Sequence, residues 1–421
     1  MDQAKYLDAM YQEIKPALGC TEPIAVALAV ARAKETLGCL PEKVDLYVSV
    51  NILKNAMGVG IPGTGMVGLE IATALSCIAG QSQYGLEVLS GATAQDCEQA
   101  RQMARKSCIH VHTKDTDEKL YIEVHASAGE HTAICIIQGT HTAITHVQLD
   151  DQVIEHYSAV SQHPGASSVY NMDVQGIYHF ITTVELDKLS FLKDGLALND
   201  TIAREGLRGE YGMRVGKVLQ NGRAMEDMSL SDYVCSYTAA AADARMAGST
   251  LPVMSTAGSG NQGITASLPV AAAARKLGCD EEKMLRAQAL SQLITIHIKS
   301  HIGKLSPLCG CAIAASVGSS AGIVFLMGGG LTEILYAIQN MIADISGLIC
   351  DGAKSSCALK IASSLASAIQ CAKLAMAGVG ATKLDGIIAE NPESSILNLA
   401  NLGAAGMEPA DQVILNMMIT K

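Results

Sequence analysis

The sequence predicts an α+β protein: a mixed α/β N-terminal domain with antiparallel strands over residues 1–165, followed by a larger all-α domain over 166–421. Three observations predict this class. Hydrophobic spacing is helical at the start, changes to a period of two between Cys108 and Val147, and is helical again almost everywhere beyond. A length of 421 residues exceeds what one ordinary core organises, so two domains are expected. Nearly half the residues are apolar, yet aromatics make up only 4% and tryptophan is absent, so core volume has to come from Ala, Ile, Leu, Val and 18 Met in closely packed helices.

Taken in order, Gln3 to Gly38 has helical spacing that breaks at Lys15-Pro16 and restarts after Gly19-Cys20-Thr21. Thr21 suits an N-cap and Pro23 a first turn, which predicts a second helix over Ile24 to Leu37. Lys43 to Ile52 alternates as a strand does, and glycines cluster from Gly58 to Gly68 ahead of an apolar helix over Leu69 to Ala79. Ile109 and Val111, then Leu120, Ile122 and Val124, then Ile134 and Ile136 alternate, predicting three or four antiparallel strands. His110, His112, His125, His131, His141 and His146 fall in or beside these strands. Without a tight His-Cys-carboxylate spacing they read as solvent-facing residues. His163 to Ser168 reads as a linker. Beyond it, helices are predicted over Val174–Leu189, Leu198–Leu207, Ser231–Met246, Gly263–Leu277, Asp280–Lys299, Ala312–Met327 and Thr332–Leu348, with Asp280 and Asn391-Pro392 as helix starts.

Composition excludes several classes. A formal charge of −11 leaves no basic footprint for nucleic acid or an anionic membrane. Leu305 to Thr332 carries no charge and mimics a membrane span, but Pro307 and Gly328-Gly329-Gly330 loosen backbone that lipid cannot satisfy, so a buried helix plus loop is expected. Thirteen cysteines are odd in number, and no signal peptide precedes Met1 to Lys5, so a cytoplasmic protein without a disulfide framework is expected. Cys39, Cys77, Cys97, Cys135, Cys235 and Cys371 read as small buried apolar residues.

Gly58, Gly60, Gly63 and Gly258, Gly260, Gly263 both fit G-x-G-x-x-G. The dinucleotide fingerprint also needs a strand–turn–helix and an acid downstream. Pro62 spoils the first match, and the second shows no strand before it. Both loops instead read as backbone N–H donors for a small anion such as a carboxylate, the second strengthened by Ser255, Thr256, Ser259 and Asn261. The competing reading is a close helix crossing. His297 and His301 share a helix face without a third ligand and read as a hydrogen-bonded pair. Gly318 to Gly322 matches the nucleophile elbow in letters only, because it falls inside an apolar helix.

Cysteine placement carries the most chemistry. Cys311, Cys350 and Cys357 lie in small-residue stretches with little charge, which suits a soft metal or an iron–sulfur cluster; three ligands would leave one iron open. Cys20 precedes a helix N-terminus, where partial positive charge lowers a thiol pKa from about 8.5 toward neutrality. It reads either as a reactive thiolate or as a buried structural residue.

Gly19 to Pro23, Lys54 to Gly68, Thr256 to Gly263, Cys309 to Ala315 and Cys350 to Cys357 together resemble the L-cysteine desulfidase family, which is related to the iron–sulfur L-serine dehydratases. The resemblance covers most of the chain and keeps the motif order. It implies one [4Fe–4S] cluster per chain on Cys311, Cys350 and Cys357, with Cys309 a close competitor, and Cys20 as proton acceptor. It also implies breakdown of L-cysteine to sulfide, ammonia and pyruvate without pyridoxal phosphate. On this reading Thr256, Ser259, Gly260 and Asn261, helped by Thr21 and Asn55, hold a small amino-acid substrate, and a homo-oligomer, a dimer, is expected. Cys350 and Cys357 are closer together than the last two ligands of serine dehydratases, and their tail cysteine has no counterpart beyond Cys371. L-serine dehydration and a non-catalytic zinc or redox site remain the rival readings.

Overall fold

The computed structural model of the chain describes residues 3–157, 170–303, 305–407 and 409–420. The linker expected at His163 to Ser168, and the expected boundary at 165/166, lie outside the described residues.

The chain starts with α1 (Ala4–Glu13), β1 (Ile14–Ala17), α2 (Thr21–Leu37), β2 (Lys43–Val48), α3 (Val50–Ala56), α4 (Leu69–Ala79) and α5 (Ala94–Ala104). Five strands follow: β3 (Ile109–Thr113), β4 (Tyr121–Ala128), β5 (His131–Gln138), β6 (Ile144–Leu149) and β7 (Gln152–His156). The rest is mainly helical: α6 (Val174–Thr183), α7 (Leu192–Arg208), α8 (Val215–Gln220), α9 (Leu230–Met246), the short β8 (Val253–Thr256), α10 (Gly260–Leu277) and α11 (Glu281–Ile302). It ends with α12 (Ser316–Leu326), α13 (Leu331–Ile345), α14 (Cys357–Met376), α15 (Pro392–Asn401) and α16 (Ala410–Ile419). The fold is α+β.

A six-stranded sheet in the order β3-β2-β4-β5-β6-β7 forms the first layer. Period-two alternation puts Val44, Leu46, Val48, Ile122, Val124, Cys135 and Ile137 on one face, where α2 and α4 cover them. A second, larger core is helical, and α1 and β1 join it through Tyr6, Met10 and Ile14. At its centre α9 is buried on every side from Tyr233 to Met246. Small residues allow that approach: a Cβ on Gly206 of α7 would meet the Ala240 carbonyl oxygen at 1.9 Å.

Several expectations are corrected. Lys43 to Ile52 is not one strand, because Ser49 caps α3 by accepting from the Ile52 amide. β2 and β3 pair in parallel, while the other sheet pairs are antiparallel. The Lys15-Pro16 break is β1, and a strand does precede the second glycine motif: β8 pairs antiparallel with β1, with Ile14 opposite Thr256. That antiparallel pair is still not the βαβ unit of a dinucleotide site. Thr21 is the first residue of α2 rather than its cap, a position held by Cys20. Val174 to Leu189 splits at Val184 into α6 and a short 3-10 turn. His141 is buried, not solvent-facing, and Cys39 is exposed. Gly318 to Gly322 packs against α11 as expected, with the Ser291 carbonyl 2.3 Å from where a Gly318 Cβ would stand. No helix among the described residues is long and apolar enough to cross a membrane.

Candidate active site

The turn from β1 into α2 sets the site. Gly19 at φ +72° reverses the chain and leaves Cys20 as the buried N-cap of α2. The Cys20 thiol donates to Glu22 Oε2 at 3.1 Å, as does the Thr21 hydroxyl at 3.0 Å, while Asn55 Nδ2 donates to Glu22 Oε1 at 3.0 Å. Burial first, then the Glu22 carboxylate, push the Cys20 pKa up, although Arg245 opposes them. This reverses the lowered pKa expected from the helix terminus. Desolvation outweighs a terminal partial charge. Burial also works to raise Glu22, but His141 and the hydrogen bonds from Cys20 and Asn55 outweigh it and hold the carboxyl below its ordinary range.

The other cysteines reach the same place from three segments. The Cys309 amide donates to the Leu348 carbonyl at 2.8 Å and the Cys350 amide to the Pro307 carbonyl at 2.7 Å, so residues 307–309 and 348–350 lie side by side. Cys311 opens a single π-helical turn, Cys311–Ala315, that leads into α12; such turns recur at functional sites. Cys357 is the first residue of α14, its sulfur facing the Lys354 amide at 3.5 Å. Cys20, Val59 and Met246 form a small buried group against which Ala353 and Cys357 pack.

Charges couple these thiols. The hydrogen bond from Cys311 holds Cys309 below the usual thiol range, and Cys311 is raised by that bond, by burial and by Cys357 and Cys350. Burial raises Cys350, opposed by Lys54, and pushes Cys357 up to about 12. Lys54 Nζ is buried, donates to the Cys350 carbonyl at 2.8 Å, and pairs with Asp411 of α16. Lys354 Nζ donates to the Lys54 carbonyl at 3.0 Å, and the Ala353 amide to the Asn55 carbonyl at 3.2 Å. The end of α3 thus docks on the loop that carries Cys350 and Cys357.

A cluster can be tested against this donor set. Four thiols close enough to shift one another's pKa, with Lys54 and Lys360 acting on them, are the chemistry of thiolate ligation, because a bound cation relieves the repulsion between their charged forms. As they stand, no group of three or more His, Cys, Asp or Glu side chains among the described residues is arranged to hold a metal ion. The donors fit a soft metal by identity.

Parts of both glycine loops are committed to packing and to internal hydrogen bonds. Gly60 donates its amide to the Met246 carbonyl, and its missing side chain lets the end of α9 approach. Thr256 is fully buried with its hydroxyl donated to Gln292 at 2.6 Å, and the amides of Thr256, Ala257 and Ser259 are engaged. Ser259 precedes α10 without capping it through its side chain. Gly260 lies against the Arg245 guanidinium, and Asn261 Oδ1 accepts from Arg245 Nη1 at 3.0 Å. His297 is bonded to Glu393 at 2.7 Å.

Residues 83–416 match the family described as serine dehydratase alpha chain. This chain belongs to the serine dehydratase alpha chain family. A UPF0597 protein of Bacteroides fragilis is 45% identical over 423 residues, covering 100% of this chain and 99% of the relative. UPF0597 proteins of Clostridium perfringens and Oleidesulfovibrio alaskensis are 44% and 42% identical, each covering 99% of this chain and 98% of the relative. Sequence reasoning missed Glu22, Lys54, Arg245, Lys354 and Asp411 around the thiols of this serine dehydratase-type chain. A faint signal existed for one of them: Arg245 is one of two charges in the otherwise uncharged run from Tyr233 to Met246.

Proposed function

We propose that this chain is a lyase that eliminates the β-substituent of a small amino acid, taking L-cysteine to sulfide, pyruvate and ammonia. Membership of the serine dehydratase alpha chain family supports the lyase class. The observation that carries the reading is the convergence of Cys309, Cys311, Cys350 and Cys357 beside the buried Cys20. Cys311, Cys350 and Cys357 would hold a [4Fe–4S] cluster, with Cys309 adjacent to Cys311. When bound, such a cluster supplies a Lewis acid that helps the leaving sulfur depart.

Cys20 accepts the Cα proton. In the resting protein it carries its own proton, so that proton has to leave first, and Glu22 Oε2 is its hydrogen-bond acceptor. As the Cα–H bond breaks its electron pair forms the Cα–Cβ double bond, and the Cβ–S bond breaks with its pair leaving on sulfide. The aminoacrylate tautomerises, and one water hydrolyses it to pyruvate and ammonia. Burial of the site keeps that water from competing at the reacting atoms. A cytoplasmic homodimer acting on the free amino acid completes the reading; light scattering checks the dimer.

The second reading is L-serine dehydration, favoured by the family's description. Anaerobically purified protein is expected to contain iron and acid-labile sulfide and to release sulfide from L-cysteine faster than pyruvate from L-serine. Turnover of serine alone selects the second reading. A colourless protein with one zinc and neither activity overturns both.

A further inference from the structure

Arg245, in the last turn of α9, has only 3% of its surface exposed. A guanidinium has five N–H donors. Here Nη2 donates to the Gly19 carbonyl at 2.7 Å and Nη1 to Asn261 Oδ1 at 3.0 Å, both neutral acceptors. Nε is buried with no partner, and among the described residues no carboxylate forms an ion pair with this group. A buried charge without a counter-ion is costly unless an anion arrives to pair with it. Residue 260 leaves room only because it is glycine: a Cβ there would stand 2.4 Å from Nε.

The opposite polarity is presented from α3. Asn55 is 8% exposed, and its Nδ2 donates to Glu22 Oε1, an acceptor-only group that fixes which way the amide points. Its Oδ1 is therefore an acceptor, buried and without a partner. Arg245 and Asn55 both fasten onto the turn Gly19 to Glu22, which carries Cys20. A cation with one unpaired N–H and no counter-ion, and an amide with an unpaired oxygen, both fastened to one turn, complement a zwitterion.

We propose that Arg245 takes the α-carboxylate of the substrate and Asn55 Oδ1 its α-ammonium, so the site selects a zwitterionic amino acid over simple thiols or acids. The proposal rests on the lyase reading for its reaction but not for its binding test. It moves the carboxylate from the backbone of the Thr256 to Gly263 loop onto the side chain that loop shelters.

Two probes share one thiol and differ in their poles: 3-mercaptopropionate has only the carboxylate, and cysteamine only the ammonium. Their affinities for the anaerobic, cluster-containing enzyme are measured by titration calorimetry. Arg245→Met is expected to weaken 3-mercaptopropionate by roughly tenfold or more, the scale of a charge-assisted hydrogen bond, and to leave cysteamine within about twofold. Asn55→Ala is expected to do the converse. Arg245→Lys, which keeps the charge, is expected to restore part of the carboxylate probe's affinity and serves as the test if Arg245→Met does not fold. Equal weakening of both probes, or of neither, in variants that melt like the parent overturns the proposal. Probe selectivity without any turnover sinks the lyase reading alone, and turnover without selectivity sinks this inference alone.

Discussion

At Cys20, burial and the Glu22 carboxylate act together to keep the sulfur protonated, while the base role requires it bare. Cys20→Ala is expected to lower turnover by about 10²–10⁴-fold, the usual worth of a positioned base, with the visible absorption of the anaerobic protein unchanged. Loss of that absorption would reassign Cys20 as a ligand. A second buried acid gives a pH prediction. Burial raises the Asp243 pKa from 3.8 to about 6, against hydrogen bonds from backbone amides such as Gly216 at 2.9 Å. The folded state therefore binds this proton more tightly than the unfolded chain. Stability from Asp243 is fully present below pH 3.8 and is lost as pH rises through about 6. Asp243→Asn is expected to melt above the parent at pH 8, by at most about 3 kcal/mol, with the gap closing below about pH 4. A lower melting point at pH 8 would mean the charge is net favourable. Cys20 was singled out by its place just before a helix start, where the structure puts it as the N-cap of α2. The partners of Glu22 and Arg245 were not legible, since isolated charges in an apolar run have no spacing to betray what they bond.

At the scale of elements, several helices were legible from their period and caps: Asp280 accepts from the Lys283 amide and Asn391 from the Ser394 amide as their residue types suggest. The failures fall at short strands under tertiary control and at one long helix, α14. β1 and β8 are four residues each and exist because they pair with each other across more than two hundred residues, so neither carries a period of its own. α14 escaped notice because it follows a loop whose shape is set by Lys54 and Lys354 rather than by local capping. Close crossings by glycine were read correctly at α12, and they carry a cost for substitution. A Cβ at Gly318 would stand 2.3 Å from the Ser291 carbonyl oxygen and 2.6 Å from Thr295 Oγ1, so α11 has to move. Gly318→Ala is expected to destabilise by about 1–3 kcal/mol, read as a lower denaturation midpoint at unchanged slope. An unchanged midpoint would show that α11 and α12 are less tightly packed than their geometry implies.

Across the whole molecule, the site lies where the sheet layer meets the helical body, and no local pattern announces that junction. Lys54 leaves α3, donates to the carbonyl of Cys350, and pairs with Asp411, 357 residues later on α16; Asn51 bonds the same carboxylate. Both partners are buried, so removing either strands the other's charge, which costs about 3–5 kcal/mol in comparable pairs. Replacing both with apolar groups removes the stranded charge and is often close to neutral. Lys54→Met and Asp411→Leu are therefore each expected to lower stability by that amount, and the double variant by much less than their sum. The three-way link adds a separate expectation. Lys54→Met also frees the Cys350 carbonyl and loosens the loop that carries Cys350 and Cys357, so it should lose iron faster than Asp411→Leu during anaerobic dialysis against a chelator. Equal rates of iron loss in the two single variants would show that the ion pair stabilises the fold without positioning the thiols.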